Sequence, residues 1–144
     1  MTTTTSDATQ IVLDLVARMN SGDIPGAGAL LAENCLNHAA IPEAQGRSGF
    51  ERIAAKLRTA FPDLKLKVED VVAAGDRVVV RGTVTGTHRG PLMFVHAPLE
   101  ATGKSFTVEQ IHIYRVVDGR IVESWAGRDD IGMFRQLGLK IMPA

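Results

Sequence analysis

The feature that most constrains the fold of this chain is a change of hydrophobic period between its two halves. Apolar residues recur at helical spacing over 8–20 and over 48–61, whereas valine, isoleucine and threonine alternate with other residues over Arg77–His88 and Ser105–Val117. Helices followed by a run of strands, without βαβ alternation, predict an α+β fold. We expect one curved sheet, antiparallel or mixed, that wraps around the N-terminal helices.

Capping and turn residues set the predicted boundaries in the first half of the chain. Ser6 or Asp7 is the expected first cap, which leaves 1–7 as a disordered tail. The first helix ends at the Asn20–Asp23 turn, and Ser48 is the expected cap of the third helix. Between them we predict a short helix over 24–31, a brief strand over 34–38 and a loop containing Pro42 and Gly46.

The second half is predicted to consist of strands joined by turns. The predicted strands are Leu64–Glu69, Arg77–His88, Ser105–Val117 and Arg120–Trp125. They are connected by a turn at 74–76, a long loop over 89–104 and a hairpin turn at Asp118–Gly119. A last short helix is expected to begin near Asp129 and to end at Gly138.

The composition is that of one globular domain without a strong electrostatic field. In 144 residues, 16 basic side chains balance 16 acidic ones, so we expect one domain over 1–144 with no nucleic-acid or membrane partner. The one cysteine, Cys35, excludes an intramolecular disulfide, and the four histidines lack metal-ligand spacing. We therefore predict no metal site. The N-terminus has no signal-peptide pattern, and we expect a cytoplasmic protein.

Three polar side chains share one face of a predicted strand. Gln110, His112 and Tyr114 alternate with Ile111 and Ile113, so they point to the same side of the sheet. If the helices cover the concave face incompletely, the gap becomes a pocket, and the Gln110 amide and the His112 imidazole would point into it. An imidazole that titrates near neutral pH could polarise a carbonyl or transfer a proton there. The same residues could instead face outward or form only buried hydrogen bonds.

Short motifs in a fixed order extend over nearly the whole chain. They are Met19-Asn-Ser-Gly-Asp23, Asn37-His38, Ala60-Phe-Pro-Asp-Leu64, Gly75-Asp-Arg-Val-Val-Val-Arg81, Gly86-Thr-His88, Glu109-Gln-Ile-His112, Val117-Asp-Gly-Arg-Ile121 and Phe134-Arg-Gln-Leu-Gly138. Together with the order of elements, they resemble the SnoaL-like polyketide cyclases of the nuclear-transport-factor-2-like superfamily, which also contains ketosteroid isomerases and limonene epoxide hydrolases. The resemblance implies a cone-shaped α+β domain with a deep pocket, no cofactor, a bulky apolar or polyketide-like substrate, and a homodimer or homotetramer.

The resemblance also implies which residues form the site. Its Gln-x-His pair, Gln110 and His112, would act as catalytic residues that polarise a substrate carbonyl or transfer a proton. Asn37 or His38 would lie at the pocket wall; strand alternation lets only one of them point inward, and we favour Asn37. The further predicted substrate-binding residues are Met19, Trp125, Ala126, Met93 and Phe94.

The aspartate that serves polyketide cyclases of this family as general acid and base is missing. A gap-free count back from the last helix puts Ala126 at the aspartate position and Ser124 at that of an accompanying histidine. Alanine cannot move a proton, so an aspartate-driven aldol cyclisation should not run here unchanged. Asp129 is the candidate catalytic replacement at the pocket rim, although we favour a role as the cap of the last helix.

An apolar run, Leu92–Val95, lies within the predicted loop 89–104. Such a run is either a lid, which would bring Met93 and Phe94 against the substrate, or a subunit contact. The sequence gives no ground for choosing between them.

Three functions remain open. The leading one is a cofactor-free enzyme that promotes ring closure or isomerisation by folding its substrate and donating neutral hydrogen bonds. Positioning alone can supply about 7–11 kcal/mol in favourable cases. The alternative is a non-catalytic module that binds a small molecule. The third is an epoxide-hydrolase-like enzyme, although the Asp-Arg-Asp arrangement that such enzymes need is not visible in the sequence.

Overall fold

The computed structural model describes residues 4–93, 97–140 and 142. Three helices precede the long antiparallel strands, as predicted. The helices are α1 (Thr5–Ser21), α2 (Ile24–Gly28), α3 (Gly46–Ala60) and α4 (Asp130–Gln136), with a 3₁₀ turn at Pro42–Ala44. The strands are β1 (Leu31–Asn37), β2 (Lys65–Ala74), β3 (Arg77–Thr87), β4 (Leu92–Met93), β5 (Pro98–Leu99), β6 (Ser105–Val117) and β7 (Arg120–Arg128).

Five strands form one mixed sheet in the order β1-β7-β6-β3-β2. β1 pairs with β7 in parallel, and the other neighbours are antiparallel. β4 and β5 form a small two-stranded sheet inside the predicted loop 89–104. The mixed sheet and the four α-helices confirm the predicted α+β class. No helix in the part of the chain that the structure describes is long and apolar enough to cross a membrane.

The core lies between the helices and one face of the sheet. Alternate residues of β3 are buried on this inner face, where Val78 and Val80 pack in one cluster with Val12 of α1. A second cluster lies at the end of α3, where Phe61 contacts Phe106 edge-on with ring centroids 5.0 Å apart. Each such side chain contributes about 1.5–3 kcal/mol on burial. The helices therefore pack against one face of the sheet, which we call the inner face, and the opposite face is called the outer face.

The N-terminal cap was predicted wrongly. Thr4, not Ser6 or Asp7, caps α1: its hydroxyl accepts a hydrogen bond from the backbone N–H of Asp7, and the Asp7 carboxylate accepts one from the N–H of Thr4. This reciprocal pair is a capping box. The helix consequently includes residues 5–7, which we had expected to belong to a disordered tail.

Two boundaries near β1 also differ from prediction because long-range contacts decide them. α3 begins at Gly46 after Gln45, not after Ser48. The Gln45 side chain instead bonds the end of β1, accepting from the N–H of Asn37 and donating to its carbonyl, both at 2.8 Å. α2 ends at Gly28, because the chain pairs with β7 from Leu31 onward.

Candidate functional site

A cavity of about 120 Å³ lies against the inner face of the sheet. Its walls come from α1, the 3₁₀ turn, α3, β1, β6 and β7. The polar side chains in its lining are Asn37, His112, Tyr114, Ser124 and Arg128, and the other lining residues are mostly small or apolar. A mostly apolar wall with a few convergent polar groups is typical of a small-molecule site.

The predicted shared face of Gln110, His112 and Tyr114 is confirmed. They continue the inward alternation of the buried residues Phe106 and Val108 on β6. The Nε2 atom of His112 lies 2.8 Å from the Oε1 atom of Gln110, and the His112 ring stacks on Tyr114 with centroids 5.8 Å apart. His112 and Tyr114 line the cavity, whereas Gln110 contacts His112 beside it.

The His112 imidazole is neutral near pH 7. Burial, and then the positive charge of Arg128, lower its pKa from 6.5 to about 4. This corrects the expectation of an imidazole that titrates near neutrality. If Nε2–H donates to Gln110, Nδ1 carries the lone pair, and within the described residues no hydrogen bond occupies Nδ1.

Ala126, the position at which the resemblance predicts an aspartate, faces the cavity. Ala126 pairs with His112 across the β6–β7 ladder, and Ser124 pairs with Tyr114. Both Ala126 and Ser124 line the cavity. Across the described ranges, no carboxylate belongs to the lining, because Glu123 and the other acidic residues of these strands alternate to the outer face.

Asn37 and His38 point in opposite directions. Asn37 lines the cavity, and its Oδ1 atom accepts a hydrogen bond from the N–H of Ala39 at 2.9 Å. His38 lies on the outer face, where its Nε2 atom is 2.7 Å from the Oε2 atom of Glu123. The prediction of His38 at the pocket wall is therefore wrong, because strand alternation turns it away.

Of two further predicted substrate-binding residues, Trp125 belongs to the cavity lining and Met19 does not. Trp125 contributes to the cavity lining, but its ring lies on the outer face between the His38 ring and the Arg77 guanidinium, each 4.9 Å from it. Met19 packs against the core and lines a separate void of about 50 Å³ with Asn20. Neither the Trp125 ring nor the Met19 thioether therefore forms the floor of the main cavity.

Asp129 caps α4, the role we favoured. Its Oδ1 atom accepts a hydrogen bond from the N–H of Gly132 at 2.8 Å. The side chain is exposed and does not belong to the cavity lining, which corrects its candidacy as a catalytic replacement. Met93 is likewise 56% exposed and lies outside the lining. Phe94 lies outside the described residues, so the lid hypothesis stays a prediction.

Three lining residues with titratable side chains were not predicted as site residues: Arg128, Tyr114 and Cys35. β7 continues three residues beyond Trp125, so alternation from Ala126 points Arg128 inward. Burial raises the pKa of the Tyr114 hydroxyl. Burial, and to a lesser extent the negative charge of Glu123, raise the pKa of the Cys35 thiol to about 11. Continued alternation is the sequence signal that could have found Arg128.

The chemistry available in this cavity is a neutral imidazole, a protonated phenol, amide and hydroxyl groups, and one guanidinium. A thiol with so high a pKa is a poor nucleophile. Within the described ranges, no group of three or more histidine, cysteine, aspartate or glutamate side chains is arranged to hold a metal ion. The cavity can accordingly bind a molecule with an apolar body and a few oxygen atoms. Its polar groups can donate hydrogen bonds to those oxygens, and His112 can accept a proton.

Comparison with known proteins assigns the chain to a family. A family model described as SnoaL-like polyketide cyclase matches residues 9–137. Over 135 residues the chain is 32% identical to aklanonic acid methyl ester cyclase DauD of Streptomyces sp. (strain C5), covering 88% of this chain and 81% of that protein. It is 33% identical over 134 residues to aklanonic acid methyl ester cyclase DnrD of Streptomyces peucetius, covering 88% and 90%. The structure of TsrD from Streptomyces laurentii superposes with a TM-score of 0.80 at 28% identity, over 92% of this chain and 96% of that one. The chain belongs to the SnoaL-like polyketide cyclase family.

Proposed function

We propose that the protein is a cofactor-free enzyme that promotes ring closure or isomerisation of a polyketide-like substrate. The observation that carries the proposal is the pair of His112 and Ala126 across one ladder of the cavity, a neutral base opposite a position without a carboxylate. Two relatives that are 32% and 33% identical are named as aklanonic acid methyl ester cyclases, which supports a substrate of that class.

The hydrogen bonds of the cavity support separate roles for His112, Tyr114 and Asn37. The Nε2–H of His112 donates a hydrogen bond to the Oε1 atom of Gln110. The Nδ1 atom of the imidazole is therefore the one that accepts a proton from the substrate. The Tyr114 hydroxyl keeps its proton because burial raises its pKa, so it can donate to a substrate carbonyl. Asn37 uses its carbonyl oxygen on Ala39, which leaves the amide N–H groups to orient the same substrate.

This set of groups favours a reaction with little charge separation. Neutral donors polarise a carbonyl without changing their own protonation, and positioning can contribute about 7–11 kcal/mol. A pericyclic or conjugate ring closure at a hydrogen-bonded carbonyl suits these groups better than an aldol reaction, which needs a stronger acid/base pair.

Activity on aklanonic acid methyl ester tests the proposal. We expect both variants to fold normally and to lower the rate by about 10²–10⁴-fold, the usual contribution of a general base: His112→Ala removes the proposed proton acceptor, and Gln110→Ala removes the hydrogen bond that orients it. His38→Ala is the matched control, because it removes an imidazole from the outer face of the same sheet. Wild-type turnover in both inner-face variants would refute the proposed roles.

A second function is favoured by the absence of a carboxylate from the described lining: a module that binds a small molecule without converting it. Mass spectrometry of the ligand after incubation separates the two functions. A ring-closed or isomerised product supports the enzyme, whereas tight binding with the ligand recovered unchanged supports the module.

The proposed assembly is a homodimer or homotetramer. It is supported by apolar residues on the sheet that are open to solvent, such as Leu36, Val72 and Ile111, which are 47%, 62% and 42% exposed. Light scattering at micromolar concentration tests it. A mass of 15.5 kDa, that of one chain, would refute it.

A further inference from the structure

We propose that Arg128 is a specificity-determining residue that selects substrates carrying an anionic oxygen, such as a carboxylate, phenolate or enolate, at the opening of the cavity. The proposal rests on the proposed function in using the same cavity. It goes further by naming the charge of the substrate group and the residue that recognises it.

The position of Arg128 places it at the opening. It is the last residue of β7, and it follows Ser124 and Ala126 on the inward alternation. Its neighbour across the ladder is Gln110, the residue that bonds His112. Because Arg128 is exposed and also belongs to the lining, it lies where the cavity meets solvent.

Arg128 is the one charged side chain in the lining that the described residues form. His112 is neutral, and the remaining polar groups carry no charge at pH 7. The lining therefore carries one positive charge at its opening, and the partly exposed Asp130 carboxylate, 3.6 Å from the guanidinium, offsets it only in part. A ligand that brings a negative oxygen there is attracted, and one that brings a cationic group is repelled.

The guanidinium has hydrogen-bonding capacity to spare. Its Nη2 atom lies 3.5 Å from the carbonyl oxygen of Ala39, and its Nε atom lies 3.6 Å from the Oδ2 atom of Asp130. Charge-assisted bonds are usually about 2.7–2.9 Å long, so both contacts are weak. A guanidinium has five N–H donors in a fork that fits a carboxylate or a pair of neighbouring oxygens, and a ligand can use them.

The same charge links the opening to His112. Arg128 is one of the two causes that keep the proton off the imidazole. An anionic oxygen bound to the guanidinium would offset that charge and raise the pKa of His112. Substrate charge at the opening would then make the imidazole a stronger base when the substrate is in place.

A matched pair of probes tests the inference, 2-naphthoate and its methyl ester, titrated by calorimetry into the full chain. We expect the wild type to prefer the carboxylate. Arg128→Gln should weaken carboxylate binding by roughly tenfold and leave the affinity for the ester unchanged. The expected loss is modest because solvent screens the charge of this exposed group. Arg128→Lys should restore part of the difference. Arg120→Gln, at the exposed start of β7, is the control that removes the same charge away from the cavity.

Titration of the His112 ring by NMR adds a readout that a merely structural role would not move. The pKa of His112 should rise in Arg128→Gln, and it should rise in the wild type when 2-naphthoate binds. Equal losses for carboxylate and ester, or no loss for the carboxylate, would overturn the inference while leaving the proposed reaction intact. Failure of the wild type to bind either probe would overturn it too. Carboxylate selectivity that depends on Arg128, without turnover of aklanonic acid methyl ester, would support the inference and refute the proposed function.

Discussion

His112 and His38 lie on opposite faces of one sheet, and their surroundings differ in kind. His112 is bonded to a neutral amide, stacked on Tyr114 and kept free of charge by burial. His38 is bonded to the Glu123 carboxylate, which also accepts from Arg115 at 2.9 Å. The same residue type thus belongs to a neutral set of groups on one side and to an ion-paired network on the other.

The carboxylates of β6 and β7 account for this difference. Glu109 and Glu123 both lie on the outer face, where Arg81 and Arg115 pair with them. On the inner face a lone carboxylate would lose its hydration and gain only neutral partners, which is costly. Because Ala126 brings no carboxylate, the cavity lining formed by the described residues is uncharged as far as Arg128 at the opening.

The largest expected effect is a loss of stability in mild acid caused by His112. The folded protein keeps the imidazole neutral down to about pH 4, whereas the unfolded chain binds a proton near pH 6.5. Between these values the unfolded state holds more protons, so the free energy of unfolding falls as the pH is lowered, by up to about 3 kcal/mol in total. Urea unfolding of the wild type from pH 7 to pH 4 measures it.

Other groups titrate over the same range, so the comparison of variants isolates His112. His112→Asn should lose less stability than the wild type between pH 6.5 and pH 4. His38→Asn leaves the inner face unchanged, so it should keep most of the wild-type loss over this range. Parallel curves for the wild type and His112→Asn would contradict a buried neutral imidazole.

The thiol of Cys35 gives the next effect, on a reaction rate. Cys35 is buried, and its pKa is raised from 9.0 to about 11, so the thiolate fraction near pH 8 is about 100-fold smaller than that of an unperturbed thiol. We expect iodoacetamide to alkylate the native protein at least about 100-fold more slowly than the urea-unfolded protein, since burial also blocks access. A control with Cys35→Ala and Leu36→Cys moves the thiol to the exposed neighbour on the outer side of β1, where ordinary reactivity is expected. Equal alkylation rates for thiols at positions 35 and 36 would show that the two positions do not differ in burial.

The long strands of the second half could be predicted closely because local patterns specify them. β6 has the predicted bounds Ser105–Val117, and the turn that follows has Asp118 and Gly119 at positive φ, as a tight hairpin requires. A strict period of two then fixes which face each side chain takes. The inward positions of Gln110 and His112 follow from it.

The missed parts depend on contacts that no local pattern encodes. β1 lies at the sheet edge and pairs in parallel with β7, a strand about 90 residues later, so neither its start at Leu31 nor its partner could be derived from its seven residues. The end of β7 was placed at Trp125, although pairing with β6 carries the strand on to Arg128. That error hid Arg128 from the candidate site.

Placing a carboxylate on the inner face should cost stability. Ala126→Asp puts it next to His112, where burial raises its pKa and a protonated imidazole would lower it again. We expect a loss of about 1–3 kcal/mol in the free energy of unfolding and weaker ligand binding, because the new group is poorly paired and crowds the cavity. The pKa of His112, followed by NMR, should rise.

Gly127→Asp is the matched control for that substitution. Gly127 is the next residue, it alternates to the outer face, and a Cβ added there meets nothing within 4 Å. We expect it to change stability less than Ala126→Asp and to leave the His112 pKa unchanged. Equal destabilisation by the two variants would mean that the two faces do not differ in their tolerance of charge.

The smallest effect is expected from Glu123→Gln, which weakens the outer-face network without touching the cavity lining. The hydrogen bond from His38 and then that from Arg115 hold the pKa of the Glu123 carboxyl below its ordinary value, so its contribution to stability is present above the ordinary pKa and is lost as the pH falls through the lowered one. Because its partners are partly exposed, solvent and salt screen the pairing, and the unfolding midpoint should move less than in Ala126→Asp. Ligand affinity should stay at the wild-type value, since the carboxylate faces away from Ser124 and Ala126. A loss of affinity comparable to that of the inner-face variants would show that the outer network positions β7 for the site, and the separation of the two faces would then hold for charge but not for function.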